Sequence, residues 1–153
     1  MALRRKSVSP ENLVQSYYDS LSHKDNKWQQ LYSEDAVFSD ASGILNAKGK
    51  EAVIQSFTPF LKGVEGVKVK QMIVEDEDAC AIIGYDYVNP KGEKLSQDVA
   101  EVWQVKNDRL TRLTIYFDLV AGAFPFCDHY LLSFVTPMGS VANRNRSFQR
   151  PAL

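Results

Sequence analysis

An α+β domain, with helices laid on one face of a curved sheet, is the fold class this sequence predicts. Three observations carry it. Apolar residues recur at helical spacing through the first third of the chain. From about Val67 the spacing changes to two. Turn-forming clusters then divide the second part into long strands that follow one another as an antiparallel meander.

The elements follow in order. Residues 1–8, with the cluster Arg4-Arg5-Lys6, read as a disordered arm. Ser9-Pro10-Glu11 is a helix start, with a serine cap, proline at the first helical position and an acid in the first turn. Leu13, Val14, Tyr17, Tyr18 and Leu21 form its apolar stripe, and the polar run from Ser22 to Asn26 ends it. A short second helix, roughly Lys27 to Tyr32, carries Trp28 and Leu31. A strand from Asp35 to Asp40 runs into the turn Ala41-Ser42-Gly43. Gly49-Lys50-Glu51 opens a third helix with the stripe Val53, Ile54, Phe57 and Leu61; Pro59 disturbs its last turn and Gly63 is a stop. Four strands follow: Val67 to Glu75 with Val67, Val69, Gln71 and Ile73 on one face, Ala79 to Val88, Leu95 to Lys106, and Arg109 to Asp118. Their turns are the acidic run Glu75 to Asp78, Asn89-Pro90-Lys91-Gly92-Glu93, and the two-residue hairpin Asn107-Asp108.

The domain is therefore expected over residues 9–119, followed by residues 120–153 as an apolar extension and a frayed tail. The apolar stretches from Ala121 to Cys127 and from Tyr130 to Val135 should cover a pocket mouth or a partner subunit.

The composition is that of a globular protein: 44% hydrophobic, 24% charged and a net charge of −1, which favours neither nucleic acid nor an anionic membrane as partner. No apolar run reaches the roughly 18 residues of a membrane span, and no secretory signal is visible. The two cysteines, Cys80 and Cys127, match no metal or redox spacing, and a reducing, cytoplasmic setting is the expectation. His23 and His129 form no ligand pattern, so no metal is expected.

One residue breaks the apolar logic. In Asp98 to Lys106 the odd positions are Val99, Glu101, Trp103 and Val105, so period two points Glu101 into the same interior as Trp103. A carboxylate there must be paired, hydrogen-bonded or neutralised, which makes it a candidate for chemistry. The alternatives are a structural partner that satisfies it, or a one-residue slip that exposes it.

The order of elements, together with Gln15-Ser16-Tyr17, Leu31-Tyr32-Ser33-Glu34-Asp35-Ala36, Asp40 with Gly43, Gly49-Lys50-Glu51-Ala52-Val53 and the pair Val102-Trp103-Gln104-Val105 and Tyr116-Phe117-Asp118, resembles the nuclear transport factor 2-like superfamily. Within it the chain is similar to the SnoaL-like, ketosteroid isomerase and limonene epoxide hydrolase branches, over roughly Glu11 to Leu119. The resemblance implies a cystatin-like cone: a curved mixed or antiparallel sheet packed on three N-terminal helices.

Residue by residue, the likeness to ketosteroid isomerases places Tyr17 at the first-helix tyrosine, Asp40 at the base that ends the first strand, and Glu101 at the second acid of the oxyanion hole. An acid kept neutral by an apolar site is a known device in that family, and it would let Glu101 donate to an enolate. Glutamate is one methylene longer than aspartate, so the geometry need not transfer. The limonene epoxide hydrolase set is incomplete: Asp86 matches one aspartate, but Gly84 and Ile115 stand at the arginine and second aspartate positions, Phe38 at the tyrosine and Asp40 at the asparagine.

Each candidate also has a structural reading. Asp40 could cap the turn Asp-Ala-Ser-Gly, Tyr17 could be a core tyrosine beside Tyr18, and Asp118 reads as structural or surface. Asp86, if it enters the cavity, adds a third carboxylate, and crowded carboxylates cannot all ionise. Phe38, Phe57, Val88, Trp103, Ile115 and Phe117 are candidate lining residues for a substrate.

The expected function is a cofactor-independent enzyme acting on a small, apolar, cyclic carbonyl compound by isomerisation or cyclisation. A non-catalytic ligand-binding or dimerisation module of the same fold is the alternative, and an epoxide hydrolase with rearranged groups anchored on Asp86 and Asp40 is a third. A homodimer is expected through an outer sheet face formed by Ala79, Ala81, Ile83, Tyr85 and Tyr87 beside Ala100 and Val102.

Overall fold

The computed structural model describes residues 7–43 and 45–117. Helix α1 spans Pro10–Ser22. The Ser9 side chain accepts from the Asn12 N–H, and Leu13, Val14, Tyr17, Tyr18 and Leu21 are buried, so cap and stripe both work as the sequence requires. Lys27–Leu31 is a single 3-10 helix. Two α-helices and this 3-10 turn stand where three helices were expected; five residues with Trp28 as their buried anchor are too few for an α-helix of ordinary length.

Helix α2 spans Lys50–Gly63 and runs on through Pro59. Gly49 caps it at φ 94°, a backbone region that favours glycine. Gly63 ends it with no room for a side chain, because a Cβ would run into the Tyr87 ring and the Val88 carbonyl oxygen.

Six strands form one sheet: β1 Tyr32–Asp40, β2 Asn46–Lys48, β3 Val64–Glu75, β4 Asp78–Val88, β5 Lys94–Lys106 and β6 Arg109–Tyr116. Their spatial order is β2-β1-β6-β5-β4-β3. The pair β1–β6 is parallel and the others are antiparallel, so the sheet is mixed. Both Asn107 and Asp108 have positive φ, as a two-residue type I′ hairpin demands. Strand β2 has no counterpart in the sequence reading; three residues carry no visible period.

Two expectations about faces are corrected by register. The pairs Ala79↔Trp103, Ala81↔Glu101 and Ile83↔Val99 put the odd residues of β4 on the same face as the odd residues of β5. Ala79, Ala81, Ile83, Tyr85 and Tyr87 are therefore core, and the outer face is the even one; a one-residue slip in a register argument reverses every side chain. In β3 the pairing passes from Val69↔Ile83 to Gln71↔Ile82, a bulge that flips the remainder of the strand. Ile73, expected beside Val67 and Val69, is thus 59% exposed on the outer face, while Met72 turns inward opposite Ala81.

The core lies between the inner sheet face and the two helices. It is unusually aromatic near α1: Tyr17, Tyr18, Trp28, Tyr32 and Trp103 form one edge-on cluster, with Phe38 against Phe57 beside it. None of the described helices is long and apolar enough to cross a membrane.

Candidate functional site

Glu101 is 1% exposed, and period two in β5 has put it on the inner face as expected. Its carboxyl group meets two phenols. Tyr18 Oη of α1 donates to Oε2 at 2.6 Å, and Tyr85 Oη of β4 donates to Oε1 at 2.8 Å. Trp103 Nε1 donates in turn to Tyr18 Oη at 2.8 Å. A chain Trp103–Tyr18–Glu101–Tyr85 thus crosses the buried space between α1 and the sheet.

Burial raises the Glu101 pKa from 4.5 to about 7, because the apolar interior penalises the anion; the bonds from Tyr18 and Tyr85 favour the anion and limit the rise. The same burial, followed for Tyr18 and Tyr85 by the nearby carboxylate, raises both phenols well above their ordinary value, so they stay protonated donors.

Tyr17 lies in this cluster but does not bond to Glu101. Adjacent residues on a helix point about 100° apart, and it is Tyr18 that reaches the acid. The Tyr17 and Tyr32 hydroxyls are close enough to influence one another and to feel Glu101, yet neither meets the geometry of a hydrogen bond with any partner among the described residues. Facing phenols can satisfy at most one of their two O–H groups between them, and a ligand oxygen or a water would take the other.

Asp40 is also inward-facing and buried. The pairs Asp40↔Ile115, Glu101↔Ile115 and Ala81↔Glu101 place Asp40, Ile115, Glu101 and Ala81 in one transverse row, so the two acids flank Ile115, two strand spacings or roughly 10 Å apart. The Asp40 carboxylate is engaged by its own turn: Oδ1 accepts from the Leu45 N–H at 2.9 Å and Oδ2 accepts from Ser42 Oγ. The capping arrangement is therefore present.

Asp86 is on the other side of the sheet, exposed, with Ser96 Oγ donating to it at 2.6 Å. It does not join Asp40 and Glu101 in a three-carboxylate site, and the pair on which a hydrolase reading was anchored is divided by the sheet. Val88 shares Asp86's outward parity, whereas Phe38, Phe57, Trp103 and Ile115 are buried inward and Phe117 packs partly buried against the core. Asp118, Cys127, His129 and the apolar extension lie outside the described residues.

Sequence reasoning missed Tyr18, Tyr32 and Tyr85. The signal for Tyr18 was its place beside Tyr17 on one stripe. Tyr85 faces inward because the odd residues of β4 share a face with the odd residues of β5, which only their pairing reveals. Among the described residues no three His, Cys, Asp or Glu side chains gather as a metal site requires.

A model of the SnoaL-like domain matches residues 14–113. Among solved structures, the chain is similar to a protein of Jannaschia sp. CCS1 provisionally described as a SnoaL-like polyketide cyclase, at 13% identity and TM-score 0.67, over 82% of this chain and 97% of that one. A similarly described protein of Mesorhizobium loti aligns at 22% identity and TM-score 0.60, over 72% and 100%. TerC, crystallised with polyporic acid, aligns at 14% identity and TM-score 0.65, over 77% and 98%. At these identities the structural likeness speaks for the fold alone. Comparison with curated proteins finds no match.

Proposed function

The chain belongs to the SnoaL-like domain family, and from that premise we propose that it is a cofactor-independent enzyme that moves a proton next to a carbonyl group of a small apolar, cyclic molecule. The observation that carries the reading is Glu101: a buried carboxyl group whose pKa of about 7 matches a general acid–base catalyst at neutral pH. Tyr17 and Tyr32 add two buried phenols beside it, next to one another and without a well-formed partner among the described residues, suited to a developing enolate oxygen. Isomerisation and intramolecular cyclisation both fit this set. In this reading Glu101 carries the proton, and Asp40 closes the turn after β1 through the Leu45 N–H and the Ser42 hydroxyl.

The test is exchange of α-protons in D2O by a panel of cyclic ketones, followed by NMR. The protein is expected to accelerate exchange for at least one member, with a rate profile that bends near pH 7. Glu101→Gln should lower that rate by about 10²–10⁴-fold. Unchanged exchange in Glu101→Gln overturns the assignment.

A second reading, a ligand-binding module without catalysis, is favoured by one observation: both Glu101 oxygens are already held by tyrosines. It gains if compounds bind in the panel and none exchanges.

We also propose that the protein is a homodimer through the outer sheet face. Ile73 and Tyr116 are 59% and 49% exposed there, beside the partly buried Ile82, Ala100 and Val102. Such a strip on a sheet face suits a second copy. Sedimentation at micromolar concentration should show a dimer, and Ile73→Lys with Tyr116→Lys should give a folded monomer. A monomeric wild-type protein excludes this assembly.

A further inference from the structure

A hollow lies on the helix side of the molecule, away from Glu101. It has a volume of about 330 Å³ and sits where the end of α1, the 3-10 helix and the last turn of α2 meet. That volume is at the small end of the ligand-site range, about 300–1,000 Å³. Its floor is apolar, made by Leu21, Trp28, Leu61 and Val64. Its rim carries two cations, Lys24 and Lys62.

The backbone at Lys24 is the unexpected part. The Lys24 N–H bonds to the Leu21 carbonyl and the Asp25 N–H to the Ser20 carbonyl, the paired bonds of a Schellman motif. Lys24 occupies its left-handed position, φ 54°, where glycine is the usual residue. A Cβ there is unfavourable, so a lysine is a poor choice for ending the helix alone. What it adds is a charge on the rim of the hollow.

That charge is not consumed. Among the described residues neither Lys24 nor Lys62 has an ion pair, while Asp25, the one acid lining the hollow, is taken by the Lys27 N–H at 2.9 Å, the Ser20 hydroxyl and the Lys27 ammonium at 3.5 Å. Asn26 and Gln29 add side-chain amides to the same rim.

We propose that this hollow binds a small organic anion: a flat apolar body against Trp28 and Leu61, with its anionic group between Lys24 and Lys62. Two ammonium groups act as point charges and do not demand the bidentate geometry an arginine would impose, so charge and size select the ligand. This inference is independent of the acid–base reading of Glu101.

The experiment uses the full chain and two probes of one shape, 2-naphthoate and its neutral counterpart 2-naphthamide, in calorimetric titrations with amide chemical-shift mapping. Naphthoate is expected to bind about tenfold or more tightly than naphthamide, and less tightly at high salt. Shifts should concentrate at Lys24, Asn26, Gln29 and Lys62. Lys24→Gly is the informative variant: it should raise Tm by about 2–4 °C, by relieving the left-handed lysine, while weakening naphthoate about tenfold and leaving naphthamide unchanged. Because that variant is the more stable one, lost affinity is not lost folding. Lys62→Gln should weaken naphthoate in the same way. Equal affinity for the two probes, no binding of naphthoate, unaltered affinity in Lys24→Gly, or shifts centred on Glu101 and Tyr18 would each overturn the proposal.

Discussion

Trp103→Ala is expected to cost about 3–5 kcal/mol of folding stability, the range for truncating a large buried aromatic side chain. Trp103 is fully buried, and its ring meets three others: Tyr17 at 4.7 Å, Tyr32 at 6.1 Å and Tyr18 at 6.2 Å between centroids. Alanine leaves a cavity walled by tyrosines anchored on α1 and β1, which can collapse only if the helix moves. It also removes the N–H donated to Tyr18, whose hydroxyl in turn serves Glu101. Trp103→Phe separates the two contributions: most of the packing stays and only the donor goes, with about 1–2 kcal/mol expected. Denaturant unfolding of both variants measures this. A loss below about 1 kcal/mol in Trp103→Ala would show that the cluster does not depend on its central ring.

The second large effect is on the pH dependence of stability. The folded pKa of Glu101, about 7, lies above the value of 4.5 it has when unfolded. Between those values the folded protein holds a proton that the unfolded chain has released. The Glu101 contribution is therefore fully present below about pH 4.5, declines as pH rises, and is lost once pH passes 7. The shift corresponds to about 3 kcal/mol across the window. The other shifted groups do not disturb it. Tyr17, Tyr18, Tyr32, Tyr85 and Tyr87 are raised and titrate above the window, and Asp25 is lowered and titrates below it. Glu101→Gln cannot ionise and should flatten the slope between pH 5 and pH 8 in thermal or urea unfolding. An identical slope in that variant would mean that another group takes up the proton. The same experiment bears on function, because a carboxyl group half-protonated near neutrality is what the acid–base reading requires.

Much of this molecule was legible in the chain. Ser9, Pro10 and the stripe from Leu13 to Leu21 announce α1 through short-range rules: a side-chain cap, a fixed φ and a period of 3.6. Asn107-Asp108 announces its hairpin because few residues tolerate positive φ at both central positions. Alternation from Val99 to Val105 was enough to bury Glu101, since the period of a strand is a property of its own backbone. Family likeness, carried by spaced fragments from Gln15 to Asp118, led to the SnoaL-like domain.

The remaining features depend on partners. The local rule said that Tyr17 and Tyr18 both belong to the core, but which hydroxyl finds Glu101 is set by how α1 is rotated over the sheet. Tyr85 was placed on the wrong face because the facing of β4 is defined only relative to β5, and the pairing Ala81↔Glu101 is a long-range fact. Ile73 turned outward because one extra residue between Val69 and Gln71 reverses parity, and a bulge leaves no mark in composition. By itself, then, the sequence determined α1 and α2, the period of β5 and the hairpin at Asn107-Asp108, which follow from interactions a few residues apart, and through spaced fragments it pointed to the family. Only the tertiary structure decided the phenols that surround Glu101, the division of Asp86 from Asp40, and the joining of Lys24 to Lys62 across a hollow. Those depend on register and helix placement, which are settled when distant segments pack and not before.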